Sequence, residues 1–176
     1  YNTYQLSGKD ASQFMDAWPE RAFGDAAVEV TARQFGTDPG NDGVGIELRG
    51  GENPYRMVVF MIDSSGFWYL WKYKYIGGNP NNRWELGNNP GHQWDLIAVA
   101  SSSAIHIGPT ASNRLMVIGY GNEFLCYIND VFVGADIIDG ASASGHAGVF
   151  LNESTMTGVF TNFTVYPVKP ATPFFL

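Results

Sequence analysis

The chain has 176 residues, 45% of them hydrophobic and 15% charged, which fits one globular domain with a buried core. Twelve Phe, 9 Tyr, 5 Trp and 21 Gly favour many short strands joined by tight turns, and exclude collagen, coiled coil and disorder. A net charge of −7, with 10 Lys and Arg scattered along the sequence, excludes nucleic acid and anionic membrane as partners.

Alternation of apolar and polar residues predicts a series of strands, each bounded by Gly, Pro, Asn or Asp. Short helical turns are predicted only over 10–15 and 140–144. Turns at 63–66, Gly121-Asn122 and Asn129-Asp130 close hairpins, which predicts one antiparallel meander within a sandwich or barrel. The predicted strands cover residues 3–6, 26–34, 43–49, 55–63, 67–75, 94–98, 115–120, 123–128, 131–135, 147–151 and 158–166.

We assign residues 1–166 to a single domain and 167–176 to a Pro-rich hydrophobic tail. Proline recurs every third residue in the tail, which therefore is extended and docks on this domain, docks on a neighbour or continues into a further segment. Cys126 is the single cysteine and lies among apolar residues, so we expect a small buried hydrophobe. The longest apolar run, 57–62, is too short to span a membrane, and the opening at Tyr1 suggests a chain processed or excised from something longer.

Seven short segments, taken in order, resemble the concanavalin A-like lectin/glucanase superfamily, specifically its laminin-G-like, glucanase-related domains of bacterial extracellular proteins. The resemblance implies an all-β, antiparallel jelly-roll β-sandwich of two packed sheets, located outside the cell or at its surface. The first strand of the family, which precedes the position of Tyr4, has no counterpart here, and its absence predicts an open edge or groove. The segments are 25–30, 43–49, 63–66, 113–117, 127–133, 145–149 and 160–165.

The carboxylates that the resemblance would require for catalysis are missing from this sequence. Retaining glucanases of the superfamily carry Glu-x-Asp-x-x-Glu on one strand, because the nucleophile and the acid/base must face one cleft about 5 Å apart. No such triplet occurs, and Glu29 and Glu47 fit the pattern of ordinary outward strand residues. We therefore expect a protein that is not an enzyme.

One face of the predicted meander is far more aromatic than a solvated sheet face requires. Six rings exposing ~100 Å² each would give about 600 Å², whereas the largest apolar patch of a soluble monomer is usually about 300–600 Å². A loop of the same chain, a partner subunit or domain, or a bound glycan would each cover such a face. The inward set is predicted as Val58, Phe60, Ile62, Trp68, Leu70, Leu115, Val117, Phe124, Cys126 and Ile128, and the opposite face as Met57, Val59, Met61, Phe67, Tyr69, Trp71, Tyr73, Met116, Ile118, Tyr120, Leu125 and Tyr127.

Two Gly-rich loops add candidate ligand groups. Trp84 and Trp94 bracket an Asn-rich stretch of the loop 77–91, where amides beside rings suit sugar hydroxyls, although Asn is equally favoured in turns. Oxygen ligands in the loop 36–43 suit calcium, with a plain Asx-turn loop as the alternative. The candidate carbohydrate-binding or contact residues are Phe67, Tyr69, Trp71, Tyr73, Trp84, Trp94, Asn81, Asn82, Tyr120 and Tyr127, and the candidate calcium ligands are Asp38, Asn41 and Asp42.

The leading hypothesis from the sequence is a non-catalytic extracellular module that binds carbohydrate or a cell-surface polymer. The alternative is a structural subunit of an extracellular assembly or filament, in which the aromatic face and the termini contact identical copies or neighbouring domains.

Overall fold

The computed structural model describes residues 3–7, 14–17, 19, 21–35, 43–52, 55–75, 92–152 and 156–169. All regular structure in these ranges is β-strand, and every predicted strand is present to within a few residues. The strands are β1 (Thr3–Ser7), β2 (Phe14–Ala17), β3 (Ala22–Phe23), β4 (Ala26–Phe35), β5 (Gly43–Glu52), β6 (Tyr55–Ile62), β7 (Phe67–Tyr75), β8 (His92–Ser101), β9 (Ser112–Tyr120), β10 (Glu123–Ile128), β11 (Val131–Ile137), β12 (Gly145–Asn152) and β13 (Thr157–Pro167).

The strands form two antiparallel sheets packed face to face, so the predicted jelly-roll sandwich is confirmed. The six-stranded sheet has the order β1-β13-β4-β9-β10-β11, and the seven-stranded sheet has the order β2-β12-β5-β6-β7-β8, with β3 also pairing β12. Strands near the start of the chain therefore pair with strands near its end, β1 with β13 and β2 with β12.

The inward set predicted from period-2 alternation is confirmed, since all ten of its residues belong to the main buried cluster between the sheets. Cys126 lies in that cluster, and burial raises the pKa of its thiol to about 12, with the charge of Asp136 adding to the effect. The prediction of one meander is wrong: β6 and β7 belong to the seven-stranded sheet, whereas β9, β10 and β11 belong to the six-stranded sheet. The predicted aromatic face is therefore divided between opposite outer surfaces of the sandwich.

The two helical turns predicted from the sequence are not helical where the structure describes them. Residues 14 and 15, expected in a helical turn, lie in β2, and residues 140–144 form turns and bends rather than a helix. Strand β13 continues to Pro167, which pairs with Ala26. The rest of the predicted tail from 170 onward lies outside the described residues. Among the described residues, no helix has the length and apolar character needed to cross a membrane.

A buried arginine joins the two sheets at one end of the sandwich. Arg49, 3% exposed and with a positive φ of 55°, extends from β5 of one sheet to Asp25 and to the β9–β10 turn of the other. Its Nη2 lies 3.0 Å from Asp25 Oδ1, and its Nη1 donates to the carbonyl oxygens of Gly121 and, at 2.8 Å, Ser142. The guanidinium also lies over the ring of Phe124 at 5.1 Å.

Candidate functional site

A second apolar cluster lies on the outer face of the seven-stranded sheet, away from the core between the sheets. Its five fully buried members come from β6, β7 and β12, and four partly buried aromatic residues of β7 and β8 pack against them. We call this surface the aromatic face. The buried members are Met57, Val59, Met61, Tyr73 and Phe150, and the partly buried ones are Tyr69, Trp71, Tyr75 and Trp94.

The aromatic face closes over its own aliphatic residues. Trp94 on β8 and Phe150 on β12 have ring centroids 6.2 Å apart, although β7, β6 and β5 lie between their strands. Four strand spacings of about 4.8 Å would separate these strands by about 19 Å in a flat sheet, so the sheet is concave here and the rings lean toward each other. Side chains of the sheet's own strands therefore cover part of this face, and a covering by the loop 77–91, a partner or a glycan stays a prediction.

The exposed part of the aromatic face lies along β7. Tyr69 and Trp71 have centroids 6.3 Å apart with ring planes only 17° from parallel, and Phe67 is 40% exposed. Trp71 is held from one side by Trp94, whose ring meets it edge-on at 6.1 Å. These rings form a fixed apolar platform rather than a set of mobile side chains.

Asp63, in the turn between β6 and β7, fixes one end of the platform. Its Oδ1 accepts hydrogen bonds from the backbone N–H groups of Ser65 at 2.9 Å and Phe67 at 2.8 Å. Its Oδ2 accepts a hydrogen bond from the hydroxyl of Tyr69 at 2.8 Å, which sets the orientation of that ring. The sequence marked Asp63 as a turn residue, and the structure adds this second role.

The structure separates the candidate contact residues into groups. Phe67, Tyr69, Trp71 and Trp94 lie together on the aromatic face, whereas Tyr73 is fully buried beneath Trp94 at 4.6 Å and supports the face without reaching its surface. Trp84, Asn81 and Asn82 lie outside the described residues, as do the candidate calcium ligands Asp38, Asn41 and Asp42. Within the ranges described, no group of three or more His, Cys, Asp or Glu residues could hold a metal ion.

Tyr120 and Tyr127 lie on the opposite surface of the sandwich, the outer face of the six-stranded sheet. Tyr127 packs edge-on against Phe132 of the edge strand β11 at 5.4 Å, and Tyr120 is 41% exposed. Their inclusion in one face with Trp71 was wrong, because β9 and β10 pair with β4 and β11 instead of with β7.

The aromatic face also contains a buried carboxyl group. Glu47 of β5 is fully buried, in register with Val59 of β6, so its predicted role as an ordinary outward residue is wrong. Asp16 of β2 approaches it across β12, where the residue opposite Glu47 is Gly148 and has no side chain. Gly50 completes the space, since a Cβ there would collide with Glu47 Oε1.

The protonated form of Glu47 is favoured at its buried position beside Asp16. Burial first, and then the charge of Asp16 and a side-chain hydrogen bond with it, raise the pKa of Glu47 well above its ordinary value of 4.5. Among the described residues, no N–H or O–H group other than the neighbouring carboxyl group donates a hydrogen bond to the Glu47 oxygens. Two ionised carboxylates can only accept, so the bond requires one of the pair to be protonated.

We expect Glu47→Gln to stabilise the protein at pH 8. The folded protein retains the Glu47 proton over a pH range in which the unfolded chain has lost it, so the free energy of unfolding falls as the pH rises from about 4.5 through that range. The glutamine amide donates to Asp16 without titrating, and should add about 1–3 kcal/mol at pH 8 and much less at pH 4. Urea denaturation from pH 4 to 8 measures the effect.

Glu29→Gln is the matched control, because Glu29 is partly exposed and its contact with Arg114, 3.7 Å from Glu29 Oε1 to Arg114 Nε, is a surface ion pair. The control should change stability by less than about 1 kcal/mol at any pH in this range. Parallel stability profiles for the wild type and Glu47→Gln would contradict a protonated Glu47 in the folded protein.

Sequence reasoning missed the roles of Glu47, Asp16 and Arg49, because the burial of Glu47 and Arg49 and the approach of Asp16 to Glu47 depend on distant parts of the chain. The only available signal was glycine placement. Gly45 and Gly50 flank Glu47 on β5, and Gly148 lies opposite it on β12, in strands that otherwise carry bulky residues. Such glycines leave the volume that a buried side chain occupies.

Comparison with known proteins finds solved structures of the same fold and no match by sequence. No family model matches the sequence, and no curated protein matches it. The carbohydrate-binding module CBM66 from Bacillus subtilis has a TM-score of 0.64 at 15% identity, over 93% of this chain and 91% of that one.

Two other solved structures show the same architecture. Sheep galectin-11 has a TM-score of 0.50 at 11% identity, over 90% of this chain and all of that one. A β-glucanase from Bacillus licheniformis has a TM-score of 0.54 at 8% identity, over 85% of this chain and 69% of that one. The resemblance to the concanavalin A-like superfamily is thus confirmed for the fold.

Proposed function

We propose that this protein is a non-catalytic extracellular module that binds carbohydrate through the exposed part of its aromatic face. The observation that carries the proposal is the platform formed by Tyr69 and Trp71, whose near-parallel rings are fixed by Asp63 and Trp94. The C–H faces of sugar rings stack on aromatic rings of this kind, and a platform fixed before binding loses little conformational entropy when a ligand arrives.

The fold of the compared structures supports the same class of ligand. A carbohydrate-binding module and a galectin share this architecture, as does a glucanase. Fold alone does not assign function, and the argument therefore depends on the platform residues themselves.

The carboxyl pair supports a binding role over a hydrolytic one. Retaining glycosidases need two carboxyl groups about 5 Å apart and inverting enzymes need a larger separation, with both groups open to the substrate. Glu47 is fully buried beside Asp16, so its carboxyl group is closed to a substrate.

A glycan array followed by calorimetry on the best ligand tests the proposal. We expect Trp71→Ala to weaken binding at least tenfold, which corresponds to about 1.4 kcal/mol, because it removes half of the platform. Tyr69→Ala should act in the same direction. Both variants should remain folded, since each ring is only partly buried.

Phe132→Ala is the control, because Phe132 is 53% exposed on the outer face of the other sheet. It should leave glycan binding unchanged. Absence of binding to every glycan on the array, together with a dimer that persists on dilution and dissociates in Phe132→Ala, would overturn the proposal in favour of an assembly subunit. Binding that is indifferent to Trp71 and Tyr69 would place the glycan elsewhere.

A further inference from the structure

We propose that a cavity at one end of the sandwich binds a small ligand with an aliphatic chain and an uncharged head group. The cavity has a volume of about 340 Å³ and lies between the two sheets, beside the β6–β7 turn and the loop 102–111. We call it the end cavity. None of its described lining residues belongs to the aromatic face, so binding here is independent of glycan binding. Small-molecule sites are usually preformed, largely apolar cavities of about 300–1,000 Å³ with a few polar groups.

The inner end of the end cavity is part of the core between the sheets. Ala32 of β4 comes from the six-stranded sheet, and Val44 of β5 and Ile62 of β6 come from the seven-stranded sheet. None of the three is more than 3% exposed, and all belong to the main buried cluster. A ligand that enters the cavity therefore meets aliphatic side chains at its deepest point.

The outer wall of the end cavity carries exposed aliphatic surface. Ile107 lines the cavity and is 64% exposed, the highest value among the large hydrophobic residues that the structure describes. Pro109 and Ala111 of the same loop also line it. An aliphatic chain bound here would remove this surface from water, which is favourable in proportion to the area covered.

The composition of the lining separates an aliphatic ligand from other classes. The described lining residues include no Phe, Tyr or Trp on which a sugar ring could stack, and no Lys or Arg to pair with an anion. Asp63 is the only carboxylate among them, and both of its oxygens already accept hydrogen bonds. The lining therefore favours a ligand without charge.

Side-chain amides shape the loop 102–111 from within the protein. Asn113 Oδ1 accepts a hydrogen bond from the backbone N–H of His106 at 2.8 Å, and Asn113 Nδ2 donates to the His106 carbonyl oxygen at 3.0 Å. Asn129 Nδ2 donates at 2.7 Å to the carbonyl oxygen of Ala104 and at 2.8 Å to Asn113 Oδ1. A cavity that is formed before binding loses little conformational entropy when its ligand arrives.

His106 provides a hydrogen-bonding group for the head of the ligand. The residue is exposed and lines the cavity. Within the described ranges its ring contacts polar atoms through Nδ1, which lies 3.3 Å from the Ser112 carbonyl oxygen and 3.4 Å from Asn129 Nδ2. The other ring nitrogen, Nε2, can therefore bond a hydroxyl or carbonyl head group.

The volume of the end cavity sets the length of the chain. At about 30 Å³ per water, about 340 Å³ corresponds to about eleven waters, which is the scale of a chain of about eight carbons with its head group. Affinity should therefore rise with chain length up to about eight carbons and no further.

NMR titration of the full chain with 1-butanol, 1-hexanol and 1-octanol tests the proposal. We expect the affinity to rise about threefold to fourfold per methylene, as for a chain transferred out of water. The methyl resonances of Val44, Ile62 and Ile107 should shift on binding. Octanoate should bind about fivefold more weakly than 1-octanol, because its charge meets no cation in the described lining.

Two variants alter the outer wall of the end cavity. Ala111→Leu fills part of the cavity and should weaken 1-octanol binding about tenfold, and Ile107→Ser removes aliphatic surface and should weaken it about threefold. Ala135→Leu is the matched control, since it adds the same group as Ala111→Leu at an exposed position of β11 outside the lining. Ala135→Leu and Trp71→Ala should leave the affinity for 1-octanol unchanged.

Several results would overturn the proposal. Failure of 1-octanol to bind, an affinity that does not depend on chain length, or binding indifferent to both Ala111→Leu and Ile107→Ser would overturn the site. Tighter binding of octanoate than of 1-octanol would overturn the uncharged head group. Loss of glycan binding in Trp71→Ala with 1-octanol binding retained would support two separate sites.

Discussion

Arg49→Met is expected to lower the free energy of unfolding by about 2–4 kcal/mol, because it leaves two carbonyl oxygens without their donor and the partly exposed Asp25 without its cation. Methionine keeps the length of the apolar stem but leaves the carbonyl oxygens of Gly121 and Ser142 without the guanidinium that both accept from. Among the residues that the structure describes, Asp25 retains the hydrogen bond from the N–H of Gly121, at 2.9 Å. At about 2–4 °C per kcal/mol for a domain of this size, the melting temperature should fall by about 10 °C.

Arg21→Met provides a close control for Arg49→Met. Arg21 lies over the ring of Phe23 at 5.3 Å, much as Arg49 lies over Phe124 at 5.1 Å, but Arg21 is exposed. The control should cost less than about 1 kcal/mol, the usual value of an exposed cation–π contact. Equal losses in the two variants would show that the bonds between the sheets contribute nothing measurable. Arg49→Lys should recover only part of the loss. An ammonium group lacks the planar set of N–H donors with which the guanidinium binds an aspartate and two carbonyl oxygens at once.

Trp94→Ala is expected to cost about 3 kcal/mol, near the lower end of the range for removing a large aromatic residue from a packed site. Its ring contacts Tyr73 at 4.6 Å, Trp71 at 6.1 Å and Phe150 at 6.2 Å, so its loss opens the concave surface to water. Thermal and urea denaturation measure the effect. The variant should also weaken glycan binding, since Trp94 holds Trp71 in place.

Comparison of Trp94→Ala with Trp71→Ala distinguishes a ring that supports the platform from a ring that contacts the glycan. Trp71 makes fewer ring contacts than Trp94, so its removal should affect stability less and glycan affinity more. Trp94→Phe should recover most of the stability, because a smaller ring still covers Tyr73. A Trp94→Ala protein as stable as wild type would mean that something other than this ring closes the aromatic face.

The core could be predicted from the sequence because its pattern is local. Residues such as Phe60, Leu70 and Val117 follow strict alternation within single strands, and alternation alone decides which side chains face inward. The hairpin at Asn129-Asp130 could equally be predicted, because Asn and Asp tolerate the positive φ that such a turn requires. In the structure these residues have φ of 49° and 68°. These features depend on fewer than ten consecutive residues.

The site could be predicted only in part, because it depends on which strands meet. The platform of Tyr69 and Trp71 follows from one strand and was identified. The placement of Tyr127 on another surface and the burial of Glu47 beside Asp16 both depend on sheet order. Period-2 alternation gives the side of a sheet but not the identity of the neighbouring strand.

The pairing of the earliest strands with the latest ones also determines when this domain can fold. Ser7 on β1 meets Thr157 on β13 across 150 residues of intervening chain, and β2 likewise requires β12. Closing loops of this length is entropically costly, and topologies dominated by such contacts fold slowly. On the ribosome, β1 and β2 emerge early but remain without their partners until β12 and β13 have been made. During synthesis the apolar strands β5, β6 and β7 are exposed together, which makes this interval the one in which a chaperone would have most effect.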